Sequence, residues 1–316
     1  MRMLTRIHER KGHNGAIYQL TGPVEDGGFL SVAGDGWLVH WPKEDPELGK
    51  LVAKVDGGQL FSVKRLPDKS ALVTGALDGG LHWLFPQAPE KNLHLQHHRK
   101  GIFAIERVGE FLFCAGGDGI LSRWSIATGR VSESLPLAGA ALRSLAYDHH
   151  RQLLFVGTSD WCIYAVDPTS MQVVLRWRAH DNSVFVLALS PNGQHLLSGG
   201  RDAHLKQWIL PPKEEVGEEL QSSLVLRPQQ SLPAHTFTIN DLAFSPNGSL
   251  LATAGRDKVV KLWDATTLQL LKVAQVVRDR GHVNSVNTLL WLDDTTLLTA
   301  GDDRRILEWK VDPLRS

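Results

Sequence analysis

The sequence predicts an all-β chain of seven repeats, each made of four antiparallel strands. Three observations carry this reading. An Asp recurs through the 316 residues at Asp35, Asp78, Asp118, Asp160, Asp202, Asp257 and Asp303, at intervals of 43, 40, 42, 42, 55 and 46 residues. An aliphatic residue stands three places after each: Leu38, Leu81, Leu121, Ile163, Leu205, Val260 and Ile306. Six places after it stand Trp41, Leu84, Trp124, Val166, Trp208, Trp263 and Trp309. A period above forty suits a four-stranded unit stacked on like neighbours and exceeds the roughly 34 residues of a helical hairpin repeat.

Within a repeat the elements follow in order. A His opens most repeats 20 to 22 residues before the Asp, at His13, His98, His180, His235 and His282. An alternating apolar run then reads as the first strand, and turns such as "SPNGQ" (190–194) and "SPNGS" (245–249) lead into the second. Four residues before the Asp come Ser31, Thr74, Cys114, Val156, Ser198, Thr253 and Thr299. The Asp turn, a third strand and a variable fourth strand complete the unit. The last repeat supplies three strands and ends near Pro313, so residues 3–9, "MLTRIHE", are expected to provide its fourth. A ring closed in this way leaves no open sheet edge. The 55-residue interval contains "PPKEEVGEEL", and 211–223 reads as an enlarged loop of the fifth repeat, either solvated or an accessory binding element.

Composition narrows the class. Hydrophobic residues make up 42% and charged residues 22%, as in globular proteins. Lys plus Arg (34) equals Asp plus Glu (34), so no global field draws the chain to nucleic acid or to an anionic membrane. Two cysteines make no disulfide framework, and no run has signal-peptide or membrane-span length. The expectation is one cytoplasmic domain over 1–316 that does not engage membranes.

The dipeptides "GH" (12–13, 281–282) and "AH" (179–180, 234–235), with "KLWD" (261–264), carry a resemblance to the WD-repeat β-propeller family over essentially the whole chain. It implies a seven-bladed β-propeller in which the His, Ser/Thr, Asp and Trp of a blade form a buried hydrogen-bonded chain. The sets are His13, Ser31, Asp35 and Trp41 in blade one, and His98, Cys114, Asp118 and Trp124 in blade three. Blade five gives His180, Ser198, Asp202 and Trp208; blade six, His235, Thr253, Asp257 and Trp263; blade seven, His282, Thr299, Asp303 and Trp309. A buried Asp needs donors, which His and Ser supply. Because the set recurs with the repeat, it reads as structure and not as a Ser-His-Asp catalytic triad. Blade two departs, with Asp56 and Leu84 at the His and Trp positions, and blade four keeps only its Asp. Apolar packing is expected to hold both.

Other candidate chemistry falls to simpler readings. His94, His97 and His98 cluster, as do His149 and His150, but His98 belongs to the repeat and 148–152 reads as a turn on the opposite face. No metal or cofactor is expected. The loops "AGGDG" (115–119) and "GALDGG" (75–80) lead into strands, so they lack the helix terminus that binds phosphate. Cys114 and Cys162 read as packed thiols.

In this family partners dock around the central channel, on residues three and five beyond the structural His and one before the Asp. By register the second of these positions holds Tyr18, Phe61, Phe103, Arg143, Phe185, Asn240 and Asn287. The position before the Asp includes Leu77, Arg201, Arg256 and Asp302. Aromatic residues on blades one to three and guanidinium groups on blades four to six suit an extended peptide with apolar and acidic or phosphorylated residues. The expected function is a non-catalytic scaffold that binds partner proteins. Three other readings stay open. The aromatic residues plug the channel while Arg256 pairs with Asp302; the channel serves a small molecule or an enzyme; or Arg143, Arg201 and Arg256 bind nucleic acid.

Overall fold

A computed structural model describes residues 4–45, 48–210 and 226–312. The described residues form twenty-eight strands in seven four-stranded sheets, the blades of an all-β propeller. Blade one shows the pattern: Ile17–Thr21, Phe29–Ala33, Trp37–Trp41 and Lys50–Lys54 follow in sequence, each hydrogen-bonded to the one before. Phe29–Ala33 is buried at every residue, because both faces of this second strand are covered, whereas the outer strand Lys50–Lys54 keeps its Lys residues exposed. Blades two to six repeat this order over 60–96, 102–136, 142–178, 184–233 and 239–274.

Blade seven is built from both ends of the described chain. Val286–Asp293, Thr296–Gly301 and Arg305–Val311 form its inner three strands, and Leu4–Lys11 is the fourth, antiparallel to Arg305–Val311. The closing strand thus extends past the expected Glu9. Arg10 and Lys11 stay in the ladder opposite Ile306 and Arg305, and buried Arg10 pairs with Glu308 while its guanidinium lies 5.3 Å from the Phe29 ring centroid. Met3 and the expected loop at 211–223 lie outside the described residues.

By packing the chain divides into two compact units: 1–74 with 84–93 and 240–316, and 75–83 with 94–239. In the first, Ile17, Phe29, Val39 and Trp41 of blade one pack with Leu298, Ala300 and Ile306 of blade seven. Leu250, Ala252 and Leu262 of blade six likewise pack with Leu289, Trp291 and Trp309. In the second unit Phe155, Ile163 and Trp177 of blade four meet Val184, Leu187 and Trp208 of blade five. The Trp177 and Trp208 rings meet edge-on at 5.8 Å.

Side chains also pin neighbouring blades of the first unit to one another. Gln19 Oε1 accepts Val63 N–H at 2.6 Å, Thr288 Oγ1 accepts Leu20 N–H at 3.3 Å, and Asp241 Oδ2 accepts Leu289 N–H at 2.7 Å.

Candidate functional site

The Asp turns set the frame on which candidate residues sit. In blade five His180 Nδ1–H donates to Asp202 at 2.9 Å, Ser198 donates to His180 Nε2 at 2.7 Å, and Trp208 Nε1–H donates to Ser198 Oγ at 2.8 Å. The Asp accepts only, so it fixes the imidazole tautomer. Blade one repeats the chain through His13, Asp35, Ser31 and Trp41, and blade seven through His282, Asp303, Thr299 and Trp309. In blade six Trp263 donates to Thr253 at 2.9 Å. Burial opposes the charge on Asp202 and Asp303, but the bonds from His180 and His282 hold both carboxyls well below their ordinary range. Burial lowers His13 and His180, so these rings stay neutral. Ser31, Ser198 and Thr299 are fully buried, which gives no nucleophile access to substrate.

Two blades solve the problem differently from the expectation. In blade three the hydroxyl comes from Ser122, not from the Cys114 position: Ser122 donates to His98 Nε2 at 2.8 Å and accepts Trp124 Nε1–H at 2.8 Å. Ser122 lies directly across the ladder from Cys114, so one strand supplies what the other lacks. Burial pushes the Cys114 thiol far up, as befits a packed group. In blade four Asp160 is not left to apolar packing. It accepts from Thr158, from Tyr164 O–H at 2.8 Å and from Cys162 N–H at 3.2 Å. Ser122 and Tyr164 both sit four residues after the Asp.

The candidate positions share a geometry that periodicity does not reveal. In five blades the residue before the Asp donates its N–H to the carbonyl three beyond the His position: Gly34 to Ala16, Gly117 to Gly101, Ser159 to Ala141, Arg201 to Ser183 and Asp302 to Ser285. In the same five blades the register skips one residue of the inner strand, and the skipped residue is Tyr18, Phe103, Arg143, Phe185 or Asn287. A β-bulge bends its strand and re-aims a side chain out of the ladder. Five of the candidates are therefore presented by bulges.

In the second unit the Arg143 guanidinium lies 4.5 Å from the Phe103 ring centroid and 5.2 Å from that of Phe185, while Nε donates to Ser159 Oγ at 2.9 Å. Gly117 makes room for Phe103, whose Cε2 would stand 2.8 Å from a Cβ there. Burial, then the charge of Arg201, lowers the Arg143 pKa. Arg201 itself is exposed. Leu77 is exposed in this unit as well.

In the first unit Tyr18 and Phe61 stack with centroids 4.2 Å apart. Asn240 Nδ2 donates to Ser285 Oγ and to Val286 O, both at 2.8 Å. Asn287 Nδ2 donates to Asp302 Oδ1 at 2.7 Å and to Ile17 O at 3.1 Å. Asp302 is thus held by Asn287, and Arg256, which the channel-plug alternative paired with Asp302, is exposed.

Trp161 is a residue that the repeat pattern passes over. It follows Asp160 in the turn position filled elsewhere by Gly36, Gly79, Gly119, Ala203, Lys258 and Arg304. Its φ is 74°, it is 42% exposed, and the Arg178 guanidinium sits 4.8 Å from its ring. An aromatic residue in the left-handed region, displayed to solvent, departs from the ordinary use of that position. The signal was legible as a bulky residue in a slot otherwise filled by Gly, Ala or a long cation. Among the described residues no group of three or more His, Cys, Asp or Glu is placed to hold a metal. Nor is any helix among them long and apolar enough to cross a membrane.

Comparison with known proteins follows the same lines. Residues 171–208, 226–264 and 274–310 match the WD40 family (WD domain, G-beta repeat). The "Ubiquitin fusion degradation protein 3 homolog" of Caenorhabditis elegans is 29% identical over 179 residues, 55% of this chain and 19% of that protein. "WD repeat-containing protein SL1-17" of Schistosoma mansoni is 24% identical over 201 residues, 62% of each chain. The match thus covers under a fifth of the first relative's length. The crystal structure of the WD40 β-propeller domain of Doa1 superposes with a TM-score of 0.81 at 18% identity, covering 98% of this chain and 97% of that one.

Proposed function

Because the chain is a seven-bladed β-propeller built of WD repeats, we propose that it is a non-catalytic scaffold that binds partner proteins through the bulge-presented residues. The observation that carries this reading is the pair Arg143 and Arg201. Arg143 is held between two aromatic rings with its Nε spent on Ser159, which leaves both Nη groups to face a ligand. Arg201 adds a second positive charge beside it, and the two repel. A carboxylate or phosphate relieves that repulsion and takes the guanidinium fork in two bonds. Phe103 and Phe185 supply the apolar flank, so an extended peptide with apolar and acidic or phosphorylated residues suits the patch. The stacked Tyr18 and Phe61 offer a second apolar patch in the other unit.

Fluorescence anisotropy with a panel of acidic and phosphorylated peptides bearing flanking Phe or Leu tests this. Binding is expected, with Arg201→Glu weakening it about tenfold or more, because a like charge replaces a complementary one. Melting should be unchanged, since Arg201 is exposed. Equal binding by the variant overturns the assignment. Binding of a single-stranded oligonucleotide with a steep salt dependence would favour the nucleic-acid reading instead.

A further inference from the structure

Blade two has no His–Ser–Asp–Trp chain, and the structure places two other histidines in its outer half. His82 lies on Gly80–Leu84 and His94 on Leu93–Gln96, neighbouring strands of the same sheet. Their Nδ1 atoms face each other at 3.3 Å, with ring centroids 4.4 Å apart. His82 is 8% exposed and its Nε2 has no hydrogen-bond partner, whereas His94 is exposed. We infer that His82 and His94 form a two-nitrogen chelate for a divalent first-row transition metal, Cu2+ or Zn2+, bound through the two Nδ1 atoms.

Two observations support this beyond the presence of two histidines. The first is the bite. Zn–N bonds of about 2.0–2.1 Å in tetrahedral geometry require ligand nitrogens about 3.3–3.4 Å apart, which the pair already provides. The second is the far side of the buried ligand. His82 Nε2 has no hydrogen-bond partner, and it borders Gly80 together with Asp78 Oδ1, the two lying 3.2 and 3.1 Å from the point where a Cβ on Gly80 would stand. A carboxylate behind a metal-bound histidine fixes ring orientation and raises ligand basicity. In the tautomer that carries its proton on Nε2, His82 offers the Nδ1 lone pair to the metal.

No third His, Cys, Asp or Glu joins the pair among the described residues. Two positions on the metal therefore remain for water or for an external donor, which makes this an open site, not a closed structural one. Imidazole nitrogens and the order of divalent affinities favour Cu2+ over Zn2+. Sequence spacing hides the pair, because "HLQHHRK" draws attention to His97 and His98, while the partner of His94 lies across the ladder on another strand.

The alternative occupant of the gap between the two nitrogens is a single proton, in an ordinary imidazole–imidazole hydrogen bond. Calorimetric titration of the metal-stripped chain with CuCl2 and ZnCl2, beside electron paramagnetic resonance of the Cu2+ form, separates the two. The expected result is one strong equivalent with two coordinated nitrogens, Cu2+ binding tighter than Zn2+. His94→Ala should weaken it about tenfold or more, a loss at least as large as removing an outer-shell partner causes. His94 is exposed, so that variant should melt like the parent. Gly80→Ala keeps both ligands but sets a Cβ 2.6 Å from His94 Cε1, and should also weaken binding. A double His149→Ala, His150→Ala variant should bind like the parent. Absence of a strong equivalent, or unchanged binding in His94→Ala, overturns the site.

Discussion

Trp161 sits at a φ of 74°, where a Cβ crowds the backbone and glycine does not. Its ring gains a contact with Arg178, but an exposed cation–π pair returns only about 0.5–1 kcal/mol. Trp161→Gly should therefore leave the fold intact and raise stability by up to about 1 kcal/mol, read from denaturant unfolding. A loss of stability would show that the ring contributes packing that its exposure conceals. Ser122 gives the opposite case. Ser122→Ala strands the buried Trp124 Nε1–H and the His98 Nε2, at a cost of about 2–3 kcal/mol, while Cys114→Ala removes apolar contact and a weak thiol bond with Ser122 and should cost less. Equal losses would return the role to Cys114. The sequence could not settle this. Register against the other blades points to residue 114, and the substitute hydroxyl lies on the next strand, eight residues later.

Strands and their bulges explain how a repeated element can carry unrepeated residues. In five blades a bulge beside the Asp turn removes one side chain from the ladder, so that residue contributes little to blade packing and its identity is free to vary. Tyr18, Phe103, Arg143, Phe185 and Asn287 stand at equivalent bulges with four different chemistries. Positions in the Asp turn are held by the hydrogen-bonded chain and were readable from spacing alone. Bulges were not, because one skipped residue leaves an alternating pattern looking unbroken.

Asp241 makes a second element-level point, as the side chain that pins blade six to blade seven. Burial pushes its carboxyl up to about 7, against the lowering effect of the N–H donors of Leu289 and Leu242. Between the ordinary value of 3.8 and about 7 the folded chain keeps a proton that the unfolded chain has lost. Stability from this group therefore falls as pH rises through that window. Asp241→Asn keeps an acceptor for Leu289 and should abolish the dependence, raising the melting temperature at pH 8 more than at pH 5. An identical shift at both values would mean that the carboxylate is ionised throughout.

For the whole molecule, His13 and His180 of the Asp turns set the acid limit. His13 and His180 are lowered by burial in the folded chain but return to about 6.5 when unfolded. The unfolded state then binds more protons, so stability declines as pH falls below about 6.5. Asp202 and Asp303, depressed when folded, add a further loss as pH falls below their ordinary 3.8. Equilibrium unfolding across pH 4–8 should show this decline, steeper in Asp241→Asn because the opposing group is gone. A flat profile in that variant would contradict neutral His13 and His180. Seven repeats, their four-stranded form and the closing strand were legible because the same few residue types recur in register. The polar pins between blades were not, since Gln19, Asp241 and Thr288 do that work six residues after the structural His with three different residue types.

The pairing of Leu4–Lys11 with Arg305–Val311 also sets a clock. On the ribosome the first strand emerges almost three hundred residues before its hydrogen-bonding partner exists. At about 5–20 residues per second that is a wait of roughly 15–60 s, during which its edge is open to any other strand. Each inner blade can assemble from its own consecutive strands as they appear, but the last one cannot. Slower elongation across the intervening repeats would prolong the vulnerable interval, and anything that shields the nascent first strand would shorten it.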